Sequence, residues 1–231
     1  MPITASLLDL ADALRDGDVG MCVAALERDP ALATSYFGDE HEARTALHVL
    51  TDFPGHRPNA PLLIGLLAAA GADVDAPFVG NHAETPLHWA ASCDDVDAIE
   101  ALLDAGADIE AAGGVLTGGP PLDDAVIFGQ WAAARALVGR GAAVRLFHAA
   151  ALGLIAEVAS ELALEPSADE ITSALWHACR GGQAAAAGLL LDAGGDPDWL
   201  GYDEMTPRDA ADDSADEAVI ALLASRAPRR P

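Results

Sequence analysis

Three residues of types that can move protons or bind a metal ion share one recurring place in the sequence. Asp124, His148 and His177 each stand immediately before small residues, close to the start of an expected helix. Helices in contact lie about 8–10 Å apart, so side chains at equivalent positions of neighbouring helices can meet. An aspartate beside two imidazoles could then transfer protons or hold a metal ion. The alternative is that each of the three side chains is hydrogen-bonded within the core.

The spacing of these residues does not favour a zinc site. No His-x-x-x-His pair lies on one helix, and the three residues come from separate stretches of the chain. A Gly-x-Ser-x-Gly motif and a Gly-rich phosphate loop are also missing from the sequence. We therefore predict no metal and no cofactor, and we expect binding rather than catalysis.

The helices that must position these residues follow a repeating pattern. In the stretch 84–111, Thr85 can cap a helix whose first position is Pro86, and Gly106 can end the following helix in a left-handed turn. The same order of features recurs from Thr45 to the Gly-Ala-Asp at residues 71–73, and again further along the chain. The chain is thus predicted to be an array of similar helix pairs.

The segment Thr85-Pro86-Leu87-His88-Trp89-Ala90 resembles the ankyrin-repeat family, whose signature is T-P-L-H-x-A on a period of about 33 residues. The resemblance implies an all-α ankyrin-repeat solenoid of about seven helix pairs with hairpin-like fingers. One repeat alone cannot bury its apolar face, so each pair depends on stacking against the next.

The predicted organisation is a single ankyrin-repeat domain over residues 1–231. Its parts are an N-terminal capping helix pair at 5–33, repeats at about 44–77, 84–112, 119–145, 146–164 and 173–200, and a C-terminal capping repeat at 206–225. Aligning each repeat on its first leucine leaves only Arg145 between Val144 and Leu146. One finger is therefore predicted to be missing near residue 145.

The resemblance also implies that finger tips and the exposed sides of the first helices form a concave binding face. The residues predicted to contact a partner there are Phe53, His82, Glu84, Ile127, Phe128, Leu152, Arg180, Tyr202, Asp203 and Met205. Tyr202 is the strongest single candidate, because aromatic side chains are enriched among interface hot spots. Alternatively, Ile127, Phe128 and Leu152 fill the space that the missing finger leaves.

The composition limits the kinds of partner. A formal net charge of -25 disfavours nucleic acid and anionic membranes, both of which attract basic proteins. Three widely spaced cysteines and the absence of a long apolar run indicate a cytoplasmic protein. All 12 basic residues are arginine, which together with abundant alanine, glycine and aspartate indicates a GC-rich bacterial genome.

The first functional hypothesis is a scaffold that binds another protein through its concave face. A second hypothesis is a small-molecule receptor or enzyme with a groove lined by Asp124, His148 and His177. A third is an acidic inhibitor of a basic protein, consistent with the surplus of carboxylates.

Overall fold

The computed structural model describes residues 5–226, and its internal contacts divide the chain into two compact units, the first ending at Ala142 and the second beginning at Ala143. Within the described residues, fourteen α-helices form seven consecutive pairs, and two three-residue strands are the only sheet. The predicted all-α repeat architecture of about seven helix pairs is confirmed. No helix in residues 5–226 combines the length and the apolar character that crossing a bilayer requires.

The first unit contains four of the helix pairs. Its helices are α1 (Ala5–Asp16), α2 (Val19–Arg28), α3 (Ala46–Thr51), α4 (Ala60–Ala69), α5 (Pro86–Ser92), α6 (Val96–Asp104), α7 (Pro121–Ile127) and α8 (Trp131–Gly139). The first helices of successive pairs pack on one another, as do the second helices. Buried leucines and alanines fill the space between them, so each pair covers the apolar face of its neighbour.

Two threonine–histidine capping boxes begin helices α3 and α5. The Thr45 side chain caps the backbone N–H of His48, and His48 Nδ1 accepts from the Thr45 N–H at 3.3 Å. Thr85 and His88 repeat this arrangement, with the N–H to Nδ1 distance at 3.1 Å. Because the first N–H groups of a helix lack partners within it, these caps fix where each helix starts.

The connections between the pairs of the first unit are long enough to form fingers. Strands β1 (Tyr36–Gly38) and β2 (Ala43–Thr45) pair antiparallel, and Ala43 also forms a bridge to Val79 in the next finger. The finger at residues 105–120 turns through two backbone hydrogen bonds, from the N–H groups of Gly113 and Gly114 to the carbonyls of Gly118 and Gly119.

The second unit contains the remaining three pairs. Its helices are α9 (Leu146–Leu152), α10 (Ile155–Leu162), α11 (Ala168–Arg180), α12 (Ala184–Asp192), α13 (Pro207–Ser214) and α14 (Glu217–Ser225). Helix α11 lies between α9 and α13, and α12 lies between α10 and α14. Trp176 is the largest fully buried side chain of this unit's core.

Two connections are too short to form a finger. Residues 140–145 alone separate α8 from α9, in keeping with the finger predicted to be missing near residue 145. Residues 163–167 alone separate α10 from α11, and this second shortening was not predicted. The predicted repeat boundary at residue 173 lies inside α11, because a capping box at Ser167 starts that helix one turn earlier.

Candidate functional site

The three candidate catalytic residues do not occupy equivalent positions. Helix α9 has Arg145 as its N-cap, so His148 is its third residue and its Nδ1 accepts from the Arg145 N–H at 3.1 Å. Asp124 is the fourth residue of α7, after the N-cap Pro120. The predicted alignment on Leu146 is thus corrected by one residue, and His148 takes the capping position that His48 and His88 hold in the first unit.

The capping histidines also tie one repeat to the next. His48 Nε2 lies 3.1 Å from the Glu84 carbonyl, and His88 Nε2 lies 3.0 Å from the Gly119 carbonyl. Burial lowers the pKa of His48 to about 4 and also lowers that of His88, so both rings are neutral at pH 7. With Nδ1 accepting from a threonine N–H, the proton is on Nε2, which donates to the carbonyl.

In the second unit a tryptophan makes the corresponding bond. Trp176 Nε1 donates to the Met205 carbonyl at 3.1 Å, and Met205 precedes the N-cap Thr206 just as Glu84 precedes Thr85. Trp176 lies inside α11 but makes the bond to the next repeat that a capping histidine makes in the first unit. His177 follows it and is equivalent in the repeat to Asp124.

Asp124 belongs to a buried acidic cluster of the first unit. Glu84, Asp123 and Asp124 are 6%, 1% and 0% exposed, and neither oxygen of Asp124 accepts a hydrogen bond from the described residues. Burial, the charge of Glu84, a hydrogen bond with Glu84 and the charge of Asp123 raise the pKa of Asp124 to about 8. Asp124 therefore keeps its proton near neutral pH, which avoids the cost of burying an unpaired charge.

Glu84 holds the neighbouring finger in place. Its Oε2 accepts from Trp89 Nε1 at 3.0 Å and lies 2.9 Å from His82 Nδ1, while its Oε1 accepts from the Val115 N–H at 3.2 Å. Asp123 accepts from the Thr117 hydroxyl at 2.9 Å on the same finger. These bonds fasten the finger to α5 and α7. Among the described residues, no group of three or more His, Cys, Asp or Glu side chains could hold a metal ion.

The second unit contains a cavity of about 650 Å³, here named the aromatic pocket. Three aromatic side chains line it: Phe147 from α9, and Trp199 and Tyr202 from the connection before α13. The pocket borders the connection of five residues between α10 and α11, which is too short to form a finger that would fill the space. A cavity of this size is within the usual range for ligand pockets.

Aromatic contacts hold Tyr202 in a fixed orientation. Its ring centroid lies 5.1 Å from that of Trp176, 5.7 Å from that of Trp199 and 5.4 Å from that of His177. Its hydroxyl lies 3.1 Å from Ser173 Oγ, within hydrogen-bonding distance. Tyr202 is nevertheless 48% exposed, so it presents a rigid ring to solvent.

Charged groups surround the aromatic pocket. Glu161, Asp169 and Glu170 contribute carboxylates, and Arg145 contributes the single basic side chain. The Arg145 guanidinium carbon lies 5.1 Å from the centroid of the Phe147 ring, a cation–π distance. The charged lining is therefore mainly acidic.

The residues predicted to contact a partner are distributed over both units. In the second unit, Tyr202 and Asp203 are exposed, Met205 and Arg180 are half-buried, and Leu152 is buried. Arg180 lies against the ring of Trp176, with its guanidinium carbon 5.5 Å from the ring centroid. Because Leu152 is 6% exposed, it is not available to a partner in this conformation.

In the first unit, Phe53 is 81% exposed and Phe128 is 40% exposed. His82 and Ile127 are half-buried. Glu84 is buried and engaged in holding the finger, so it too is unavailable on the surface.

Sequence reasoning missed Phe147, Trp199, Glu161 and Asp169 as lining residues of the pocket. The sequence does carry one sign of the pocket, the Ser-x-x-Glu spacing of Ser167 and Glu170, which is typical of a capping box. It indicates a helix start directly after α10 and hence a missing finger.

Comparisons with known proteins agree with this architecture. Residues 83–113 match the family model of the ankyrin repeat. The fold is similar to the crystal structure of the human ASB11 ankyrin repeat domain, with a TM-score of 0.58 and 19% sequence identity over 96% of this chain and 99% of that chain. A search of curated proteins found no match.

Residues 83–113 are thus an ankyrin repeat, and the chain has the fold of an ankyrin-repeat domain. Ankyrin repeats are generally protein–protein interaction modules.

Proposed function

We propose that this chain binds a protein partner and that the aromatic pocket of the second unit is the centre of the interface. The observation that carries the proposal is the exposed Tyr202 ring, held rigid by Trp176, Trp199 and His177 at the mouth of a cavity of about 650 Å³. Rigid aromatic side chains beside a pocket are the usual anchors of binding energy in interfaces.

The predicted contact residues near this pocket support the same face. Asp203 is exposed beside Tyr202 in a short 3₁₀ turn, and Met205 fixes the end of that turn through its carbonyl bond to Trp176. A partner seated on the aromatic pocket would contact this turn as well. Binding by Phe53 and Phe128 of the first unit is a separate part of the proposal, because neither residue lines the pocket.

The test is capture of a partner from an extract of the source organism with immobilised protein. We expect Tyr202→Ala to reduce the captured amount at least about tenfold, since loss of a hot-spot aromatic costs about 2 kcal/mol or more. Leu62→Ala is the matched control, because it removes a 55% exposed side chain of the first unit outside the pocket. Circular dichroism must show unchanged helix content for both variants.

Phe128→Ala distinguishes the two parts of the interface. Loss of the partner with Phe128→Ala but not with Tyr202→Ala would move the interface to the first unit and refute the proposal for the pocket. Equal capture by all three variants and the unmodified chain would refute both parts.

A further inference from the structure

We propose that the aromatic pocket takes up a cationic side chain, an arginine or a lysine, of the protein partner. This inference rests on the proposed function and specifies the chemistry of the group that enters the pocket. It follows from three features of the second unit: an exposed aromatic platform, an acidic rim, and an internal example of the same contact.

The aromatic platform consists of Tyr202 and Trp199. The face of an aromatic ring attracts a cation within about 6 Å of its centroid, and tryptophan and tyrosine are the better rings for this contact. The two rings lie edge to face with their centroids 5.7 Å apart, so they border the pocket in two orientations. Gly201 permits this arrangement, because a side chain there would collide with the Trp199 ring.

The acidic rim supplies the charge that a cation needs. Glu161 and Asp169 form no side-chain hydrogen bond or ion pair with the described residues. Hydrogen bonds from the Ser167 backbone and side chain lower the pKa of the Glu170 carboxyl, so this group is ionised at neutral pH. The lining thus contains three acidic side chains and one guanidinium, that of Arg145.

The contact of Arg145 with Phe147 shows that the pocket accommodates a guanidinium on an aromatic face. The guanidinium carbon lies 5.1 Å from the ring centroid, at the side of the pocket formed by α9. The Trp199 and Tyr202 rings on the other connection have no such cation over them among the described side chains. An arginine or lysine side chain of a partner would lie over the Trp199 or Tyr202 ring in the same way.

Other occupants suit the pocket less well. An anionic group would face the three carboxylates at close range, where like charges repel. A neutral apolar group would desolvate Glu161 and Asp169 without giving either a partner, which costs free energy. The charge of -25 on the whole chain additionally favours the approach of a basic partner.

The experiment uses the full chain and small probes that carry one side chain. The probes are Nα-acetyl-arginine amide, Nα-acetyl-lysine amide and Nα-acetyl-citrulline amide, of which citrulline has the shape of arginine without its charge. Binding is followed by NMR through the indole N–H signals of Trp199 and Trp176. We expect saturable shifts with at least one cationic probe and an affinity for citrulline at least about tenfold weaker.

Two double variants separate the local carboxylates from the total charge. The double variant Glu161→Gln with Asp169→Asn should lower the affinity for the cationic probe about tenfold. Glu170 is retained because it caps α11. Asp212→Asn with Asp213→Asn removes the same charge from exposed positions outside the pocket and should change the affinity less than about twofold. The inference would be overturned if both double variants lowered the affinity for the cationic probe equally. It would also be overturned if the citrulline and arginine probes bound equally well, or if no cationic probe bound saturably.

The outcome is distinguishable from that of the capture experiment. Partner capture that depends on Tyr202, together with no binding of the cationic probes, would leave the proposed function standing and refute the cationic occupant. Saturable cation binding at Trp199 with partner capture independent of Tyr202 would instead refute the pocket as the protein interface.

Discussion

The two units connect successive repeats with the same hydrogen bond but with different side chains. In the first unit, His48 and His88 donate from an imidazole to the carbonyl that precedes the next cap. In the second unit, Trp176 donates from an indole to the Met205 carbonyl. The same kind of bond thus recurs in both units, although the residue that makes it differs.

The difference has two consequences. An indole does not titrate, so the hydrogen bond of Trp176 in the second unit is independent of pH. The hydrogen bonds of His48 and His88 in the first unit are made by ionisable side chains. The second unit also has a connection too short for a finger, at residues 163–167, and there the aromatic pocket opens. The first unit fills the corresponding space with fingers fastened by Glu84 and Asp123.

The largest expected effect comes from removing the indole. Trp176→Ala should lower the free energy of unfolding by about 3–5 kcal/mol, because it leaves a cavity in the core and the Met205 carbonyl without its donor. Urea denaturation followed by circular dichroism measures the change.

Trp176→Phe sharpens this test, because it keeps an aromatic ring and removes only the N–H and part of the volume. We expect a loss of at least about 1 kcal/mol from the unsatisfied carbonyl. A phenylalanine variant as stable as the unmodified chain would show that the tie contributes nothing to stability.

The second effect is the pH dependence that Asp124 contributes to stability. Because the folded-state pKa of Asp124 is raised to about 8 from 3.8, the folded chain keeps a proton that the unfolded chain releases as the pH rises through this interval. Asp124 should therefore contribute a slope of up to about -1.4 kcal/mol per pH unit to the free energy of unfolding between about pH 4 and 8. His48 contributes a slope of the opposite sign between about pH 4 and 6.5, because its folded-state pKa is lowered from 6.5 to about 4.

Asp124→Asn removes this titration while keeping the shape of the side chain. We expect the slope of stability against pH from 5 to 8, measured by urea denaturation at each pH, to be more positive than in the unmodified chain. Asp9→Asn, at an exposed position of α1, is the control and should leave the slope unchanged. If the slopes of the unmodified chain and Asp124→Asn are the same, the raised pKa of Asp124 is refuted.

The smallest effect concerns the start of α11. Ser167→Ala removes the side-chain cap on the Glu170 N–H and should cost about 1 kcal/mol. Thermal denaturation measures the loss, and Ser160→Ala is a matched control because Ser160 is an exposed serine inside helix α10. A Ser167→Ala variant with unchanged stability would mean that the cap does not determine the short connection.

The repeat architecture could be predicted from the sequence because its determinants are local. Thr85, Pro86 and Gly106 specify helix starts and stops by their own backbone chemistry, and apolar periodicity specifies the buried faces. The seven helix pairs and the shortened connection at residues 140–145 follow from these signs.

The aromatic pocket could not be predicted in the same way. Phe147 and Trp199 are far apart in sequence and meet only through the packing of α9, α11 and the connection before α13. The alignment of His148 with Asp124 is wrong by one residue, because Phe147 rather than Leu146 occupies the position of the motif leucine after the N-cap Arg145. Tyr202 was recognised as a candidate from its residue type and loop position alone.

The connection that carries Trp199 and Tyr202 also leads into the last helix pair, α13 and α14. Among the described residues this pair packs against another pair on one side only, so its amide hydrogens should exchange with solvent more readily than those of inner pairs. A molecule bound to the two rings would also restrain the backbone entering α13. Occupancy of the pocket would thereby slow exchange throughout α13 and α14, well beyond the atoms that the bound molecule touches.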